Sequence, residues 1–176
     1  LAGGIWLGFA LTVGFLQPGS RQACVYMLQG VVVGLYPITG VLLHRPELPL
    51  FTAAYFLIEC VFPATWIHLG VVFPIERRLR GRWLALVAGA YAASACLFAL
   101  VISGFHAEPP RLGALRLTYL YAALSFVVFL TLVAAAHRGT RSQRARAKAI
   151  LAGGGIAGGG AFVALTDSAL AGYQLP

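Results

Sequence analysis

The chain has 176 residues, of which 60 % are hydrophobic and 10 % charged, and its 13 basic and 5 acidic side chains give a net charge of +8. Soluble domains average about 45–50 % apolar and about 25 % charged residues, so the composition excludes a soluble globular domain. The positive charge does not indicate nucleic-acid binding, because the basic residues lie in short connectors between apolar runs and no basic helix with interleaved aromatic residues accompanies them.

Apolar runs long enough to cross a bilayer follow one another along the whole sequence. We predict spans at 1–16, 23–43, 50–75, 83–105, 117–136 and 149–166, separated by connectors that contain proline, glycine or arginine. The predicted fold class is all-α: a polytopic transmembrane helical bundle of about six spans that forms one domain over 1–176. Because the sequence starts at Leu1 without a methionine, we expect it to be a fragment of a longer protein.

The distribution of lysine and arginine over alternate connectors predicts the orientation. Three of the 13 basic residues lie in one set of connectors, and the other ten lie in the opposite set. We therefore predict a multi-pass protein of the bacterial cytoplasmic (inner) membrane with its amino terminus outside. The basic residues expected at the anionic headgroups of the membrane surface are Arg77, Arg78, Arg80, Arg82, Arg141, Arg144, Arg146 and Lys148.

Glu59 is an acid in the middle third of the third predicted span. An ionisable group at this depth costs about 2.5–3.5 kcal/mol on insertion scales, so it should face the bundle interior and be either paired or protonated. We predict a ligand- or proton-sensing pocket formed by Glu59 with Tyr55, Cys60 and Trp66. His68, nine residues after Glu59 and so on another face, is a further candidate ligand-binding residue. The alternative is that Glu59 is a structural acid hydrogen-bonded to a neighbouring helix.

Four histidines suggest a second chemistry. His44 and His106 end the second and fourth spans, while His68 and His137 lie toward the other side of the third and fifth. Histidine pairs near each membrane face could ligate two haem b groups, because haem iron accepts axial histidine. Three scattered cysteines (Cys24, Cys60 and Cys96) form no metal motif, and we interpret them as small buried hydrophobic residues.

Two short segments resemble the membrane-embedded input regions of bacterial sensor histidine kinases of the ComP-like kind. The first is His68-Leu69-Gly70-Val71-Val72-Phe73-Pro74, followed by Glu76-Arg77-Arg78, and the second is the basic, glycine-bearing stretch over 144–153. The second departs from the usual pattern, because Ala147-Lys148 stands where Gln-Leu is common. Pro63, Phe73 and Pro74 are the predicted structural residues of the third span: Pro63 bends it, and Phe73-Pro74 ends it at the cytoplasmic interface.

The resemblance implies a membrane sensory module that relays a ligand or bilayer signal to a cytoplasmic output domain. Such a module is not itself an enzyme and needs no cofactor or metal; we expect a homodimer that responds to a small ligand or peptide. The alternatives are a diheme b-type electron-transfer subunit, and a transporter or structural subunit of a membrane complex. Interrupted repeats typical of transporters are not evident in the sequence.

The predicted orientation can be tested by cysteine labelling. Cysteines introduced at Gly81 and Gly113 should react from the cytoplasmic and the external side respectively, measured against the labelling of the parent chain. Reaction of both from one side would contradict the predicted number of spans.

Overall fold

A computed structural model describes residues 2–42, 49–75, 77–105 and 113–152, and this part of the chain is all-helical. The helices are α1 (Ala2–Leu16), α2 (Arg21–Leu42), α3 (Pro49–Val72), α4 (Arg82–Phe105) and α5 (Gly113–Ala134). A short 3-10 turn, Ala135–Arg138, follows α5. A further helix, α6, occupies 141–152.

Three of these helices are long and apolar enough to cross a membrane: α3 from Leu50 onward, α4 and α5. Their 22 to 24 residues correspond to about 33–36 Å at about 1.5 Å per residue, against a hydrocarbon thickness of about 30 Å. The apolar part of α1, Leu7–Leu16, is shorter. The predicted all-α class is thus confirmed, together with three helices that could span a membrane, while the count of six and the orientation stay predictions.

Two helix ends differ from the predicted spans, because local interactions determine where these helices end or begin. The third span ends at Val72 and not at residue 75, since Phe73-Pro74 breaks the helix. The helix that we placed at 149 begins at residue 141, so most of the predicted basic connector is helical. A capping box starts it: the Thr140 amide donates to Gln143 Oε1 at 2.8 Å, and the Gln143 amide donates to Thr140 Oγ1 at 3.3 Å.

The centre of the bundle is α3, which packs against α2, α4 and α5, whereas α1 contacts only α2 among the described helices. A glycine lets α3 and α5 approach closely. A Cβ atom at Gly70 would lie 3.1–3.3 Å from side-chain atoms of Leu132 and Phe129 on α5. Contacts this short explain why a small residue stands at this crossing.

Two ends of the bundle can be distinguished. We call the end that carries the connector 73–81 and the turn 135–140 the arginine end, and the opposite one the distal end. Gln22 at the start of α2 donates to the carbonyl of Val72 at the end of α3, at 2.9 Å, which shows that α2 and α3 run antiparallel. Buried Phe56, Val101 and Leu115 form a cluster toward the distal end, and Phe129, Val133, Ala136 and Ala147 belong to another at the arginine end.

Arg77 joins two helices at the arginine end. Its guanidinium donates to the carbonyl oxygens of Gly70 at 2.9 Å and Leu132 at 3.2 Å, with a longer contact of 3.4 Å to that of Val71. It also lies over the Trp83 ring, 5.1 Å from the ring centroid. Partial burial lowers the pKa of Arg77. Arg77 is half-buried and satisfies carbonyls that have no partner at the helix ends, while its predicted place at the membrane surface stays a prediction.

The other basic residues of the arginine end are accessible. Exposed side chains belong to Arg78, Arg80, Arg82, Arg141, Arg144, Arg146 and Lys148. Gly81 has φ of 52°, in the left-handed region that favours glycine, and a cysteine there would be strained. The exposed neighbour Arg80 is therefore the better position for the cytoplasmic label.

The Arg77 contacts predict a selective loss of stability. Arg77→Gln removes the charge and most of the donors, and should lower the free energy of unfolding by about 1.5–3 kcal/mol, the value of hydrogen bonds to charged groups. Arg78→Gln makes the same change in charge at an exposed neighbour and should alter it by less than about 0.5 kcal/mol. Thermal unfolding in detergent measures both, and an equal loss in the two variants would show that only the net charge matters.

Candidate functional site

Glu59 lies inside the bundle, on the central helix α3. Its side chain is only 7 % exposed, although it is the one acid within the described residues. The surrounding helix is apolar on all sides, and α2 and α5 cover the face that carries the carboxyl group. Packing, and not an amphipathic pattern, therefore separates Glu59 from the outside of the bundle.

Three tyrosines from three helices bring hydroxyl groups to this region. The hydroxyls of Tyr36 on α2 and Tyr119 on α5 are close enough to the Glu59 carboxyl to interact with it. Tyr55 lies one helical turn before Glu59, and its hydroxyl is 3.1 Å from that of Tyr36. The rings of Tyr36 and Tyr55 are also in contact, with centroids 5.3 Å apart. We call Glu59, Tyr36, Tyr55 and Tyr119 the tyrosine–glutamate cluster.

The Glu59 carboxyl is not satisfied within this cluster. Neither Oε1 nor Oε2 has a partner at hydrogen-bonding geometry among the described residues, and both atoms are buried. The hydroxyls of Tyr36 and Tyr119 approach the carboxyl from α2 and α5 and supply its polar surroundings. A buried polar group in this condition costs about 1–3 kcal/mol relative to a bonded one. A donor that reached Glu59 would recover that free energy.

Cys60 and an apolar wall adjoin the cluster. Cys60 is fully buried, and its sulfur lies 3.9 Å from the Thr118 hydroxyl oxygen on α5. The Thr118 hydroxyl also donates to the carbonyl of Ala114 at 3.1 Å. Phe56 and Phe105 close the distal side, with ring centroids 5.3 Å apart. The predicted grouping of Glu59, Tyr55 and Cys60 is thus present in the structure; ligand binding there stays a prediction.

Trp66 lies elsewhere. It is two turns further along α3 and packs against Phe126 and Phe129 on α5, at centroid distances of 4.3 and 5.5 Å. This contact belongs to the arginine-end cluster. The sequence placed Trp66 on nearly the same helix face as Glu59 but could not show that about 10 Å of helix separates them. Trp66 is therefore removed from the Glu59 pocket.

His68 also lies away from the Glu59 carboxyl. Its Nδ1 is 3.3 Å from the Tyr91 hydroxyl on α4, on the side of α3 away from Glu59. A neighbouring tyrosine, Tyr121, donates to the carbonyl of Ala90 at 2.8 Å. His68 therefore belongs to a polar layer between α3 and α4 and does not contribute to the Glu59 cluster.

The haem hypothesis falls mostly outside the described residues. His44 and His106 lie there, and of His137 only the backbone is described. In the described ranges no three histidine, cysteine or acidic side chains come together as a metal-binding group. The structure thus leaves the proposed diheme pairing untested.

The interpretation of the cysteines needs a correction. Cys60 is buried as expected, but Cys24 and Cys96 are exposed on the surface of the bundle. An apolar run in a membrane protein has no polar face, so the sequence cannot tell a cysteine that faces the interior from one that faces outward.

Sequence reasoning missed Tyr36 and Tyr119, which come from helices far from Glu59 along the chain. The sequence did contain one indication: a buried acid requires partners, so polar side chains on the other apolar spans are candidates to contact it. Tyrosines in apolar spans are candidates for this role, but the sequence holds several, among them Tyr26, Tyr91 and Tyr121. Only the packing of α2 and α5 on α3 selects the pair next to Glu59.

No family model, curated protein or solved structure matches this chain. The resemblance to sensor-kinase input regions therefore stays a prediction.

Proposed function

We propose that the chain is a membrane sensory module in which the tyrosine–glutamate cluster receives the signal and α3 carries it to the arginine end. The ligand would bear a hydrogen-bond donor or a positive charge, or would be a proton. In this proposal six spans cross the bacterial inner membrane, the amino terminus is outside, and the arginine end is cytoplasmic.

The observation that carries the proposal is the unpaired, buried carboxyl of Glu59 beside hydroxyls from α2 and α5. Such a group is stabilised by a ligand that donates to it, or by the hydroxyls of Tyr36 and Tyr119 when α2 and α5 bring them close to it. The two arrangements place α2 and α5 differently against α3. A ligand that binds one of them better would shift the population between them.

A physical connection leads from Glu59 to the arginine end. The helix α3 is continuous from Glu59 to Val72, and Arg77 then bonds to the carbonyl ends of both α3 and α5. Ala147, Ile150 and Leu151 of α6 pack in the same cluster as Phe129 and Trp66. Movement of α3 against α5 would therefore change the position of α6, the helix that leads away from this end.

The charge distribution supports the proposed orientation. Nine exposed basic side chains gather at the arginine end within the described residues, which fits the rule that cytoplasmic loops carry the excess of lysine and arginine. Glu59 lies in the distal half of α3, ten residues from Pro49 and thirteen from Val72, so in this orientation the site lies slightly toward the outer leaflet. A signal from outside would then be received above the middle of the bilayer and delivered on the cytoplasmic side.

The test is hydrogen–deuterium exchange at the backbone amides of residues 139–147 in nanodiscs. In Glu59→Gln the amide supplies its own donor to the cluster and favours one arrangement. In Tyr36→Phe a hydroxyl next to the carboxyl is removed. Each should change the exchange rate by about fivefold, because a hydrogen bond contributes about 1 kcal/mol and about 1.4 kcal/mol corresponds to a factor of ten.

The matched control is Tyr26→Phe, which removes a hydroxyl from the same helix, α2, at a residue that packs against Phe9 on α1. Exchange at the arginine end should then stay within about twofold of the parent. Melting temperatures would report whether each variant is folded. Unchanged exchange in both Glu59→Gln and Tyr36→Phe, in folded protein, would contradict a role of the cluster in signalling.

A further inference from the structure

An open cleft lies at the arginine end, away from the Glu59 cluster. Its volume is about 290 Å³, and it is bounded by the turn between α1 and α2, the first turns of α2, the end of α3 and the connector that follows α3. The lining residues are Gly19, Arg21, Cys24, Val25, His68, Val72 and Leu79. Nothing in the proposed sensing mechanism uses this space.

The chemistry of the lining is that of a site for an amphiphilic anion. Arg21 supplies a positive charge at the surface, while Val25, Val72 and Leu79 supply apolar walls. No acidic residue is among the described residues that line the cleft. A ligand with one negative charge next to an aliphatic part would satisfy both kinds of surface.

His68 adds a hydrogen-bonding group to the cleft. Its Nδ1 lies next to the Tyr91 hydroxyl. When Tyr91 donates to Nδ1, the neutral imidazole carries its proton on Nε2, which is then a donor for an anion. His68 is thus a polar side chain near the end of α3 that faces an apolar cleft. Anion binding would give it a role that neither the Glu59 pocket nor core packing provides.

We propose that this cleft binds the headgroup of a phospholipid with a net negative charge, with Arg21 and His68 as donors to its phosphate. The volume is near the lower limit of about 300 Å³ for ligand pockets, which suits a headgroup and not a whole lipid. The cleft lies at the end of the membrane-length helix α3, where headgroups are found. The exposed Arg78, Arg80 and Arg82 raise the local concentration of anionic lipid around it.

Native mass spectrometry of the full chain, with phosphatidylglycerol and phosphatidylcholine supplied in equal amounts, tests this site. The parent protein should retain phosphatidylglycerol in preference. Arg21→Gln should lower its retention by about tenfold, since a charged hydrogen-bond donor is lost. Leu79→Trp should reduce it as well, because the indole fills the cleft, and far-UV circular dichroism checks the fold of each variant.

The control is Arg80→Gln, which removes an exposed arginine from the same connector without lining the cleft. Retention should stay within about twofold, as expected for a surface charge that acts only over a distance. Equal retention of the two lipids by the parent would overturn the proposal. So would a loss in Arg80→Gln as large as that in Arg21→Gln, because it would reduce the effect to general surface charge. Neither result bears on Glu59.

Discussion

A carboxyl group on a membrane-length helix limits how that helix can pack. Because Glu59 cannot face hydrocarbon without a large cost, α3 takes the central position, covered by α2, α4 and α5. The close approach at Gly70 allows α5 to lie against α3, and Tyr119 of α5 comes next to the carboxyl as a result. The burial of Glu59 and the central position of α3 in the bundle are therefore one and the same requirement.

A second constraint on α3 acts at the arginine end, where its last carbonyl groups need hydrogen-bond donors. The last carbonyls of α3 and α5 have no partners within their helices, and Arg77 supplies donors to both. The helix α3 is continuous between Glu59 and Val72, with Pro63 inside it, so the two polar contacts lie on one helix. A buried acid near the middle of α3 and contacts of Arg77 with α3 and α5 at its end give α3 the arrangement that the proposed relay needs.

The sequence predicts the positions of the helices, which follow from the lengths of the apolar runs. It does not predict the side-chain contacts between them, which follow from packing. The runs around α3, α4 and α5 predicted helices with ends correct to within four residues, because proline and arginine mark the boundaries. The capping box Thr140–Gln143 was a local signal that predicts the start of α6, and it was overlooked in the sequence. The partners of Glu59 could not be predicted, since a helix that is apolar on all sides has no periodic pattern to indicate which face contacts which neighbour. For the same reason the exposure of Cys24 and Cys96 was not foreseen.

The central claim is that Glu59 and Arg77 are coupled through α3. Arg77 binds the carbonyl of Gly70, which lies eleven residues after Glu59 on α3, about 17 Å away at the helical rise. A double-mutant cycle of Glu59→Gln and Arg77→Gln, read as the free energy of opening from hydrogen exchange at residues 139–147, measures that coupling directly. Coupling through α3 should give an interaction free energy of at least about 0.5 kcal/mol, although sites this far apart are normally additive. Additivity within about 0.3 kcal/mol would contradict it.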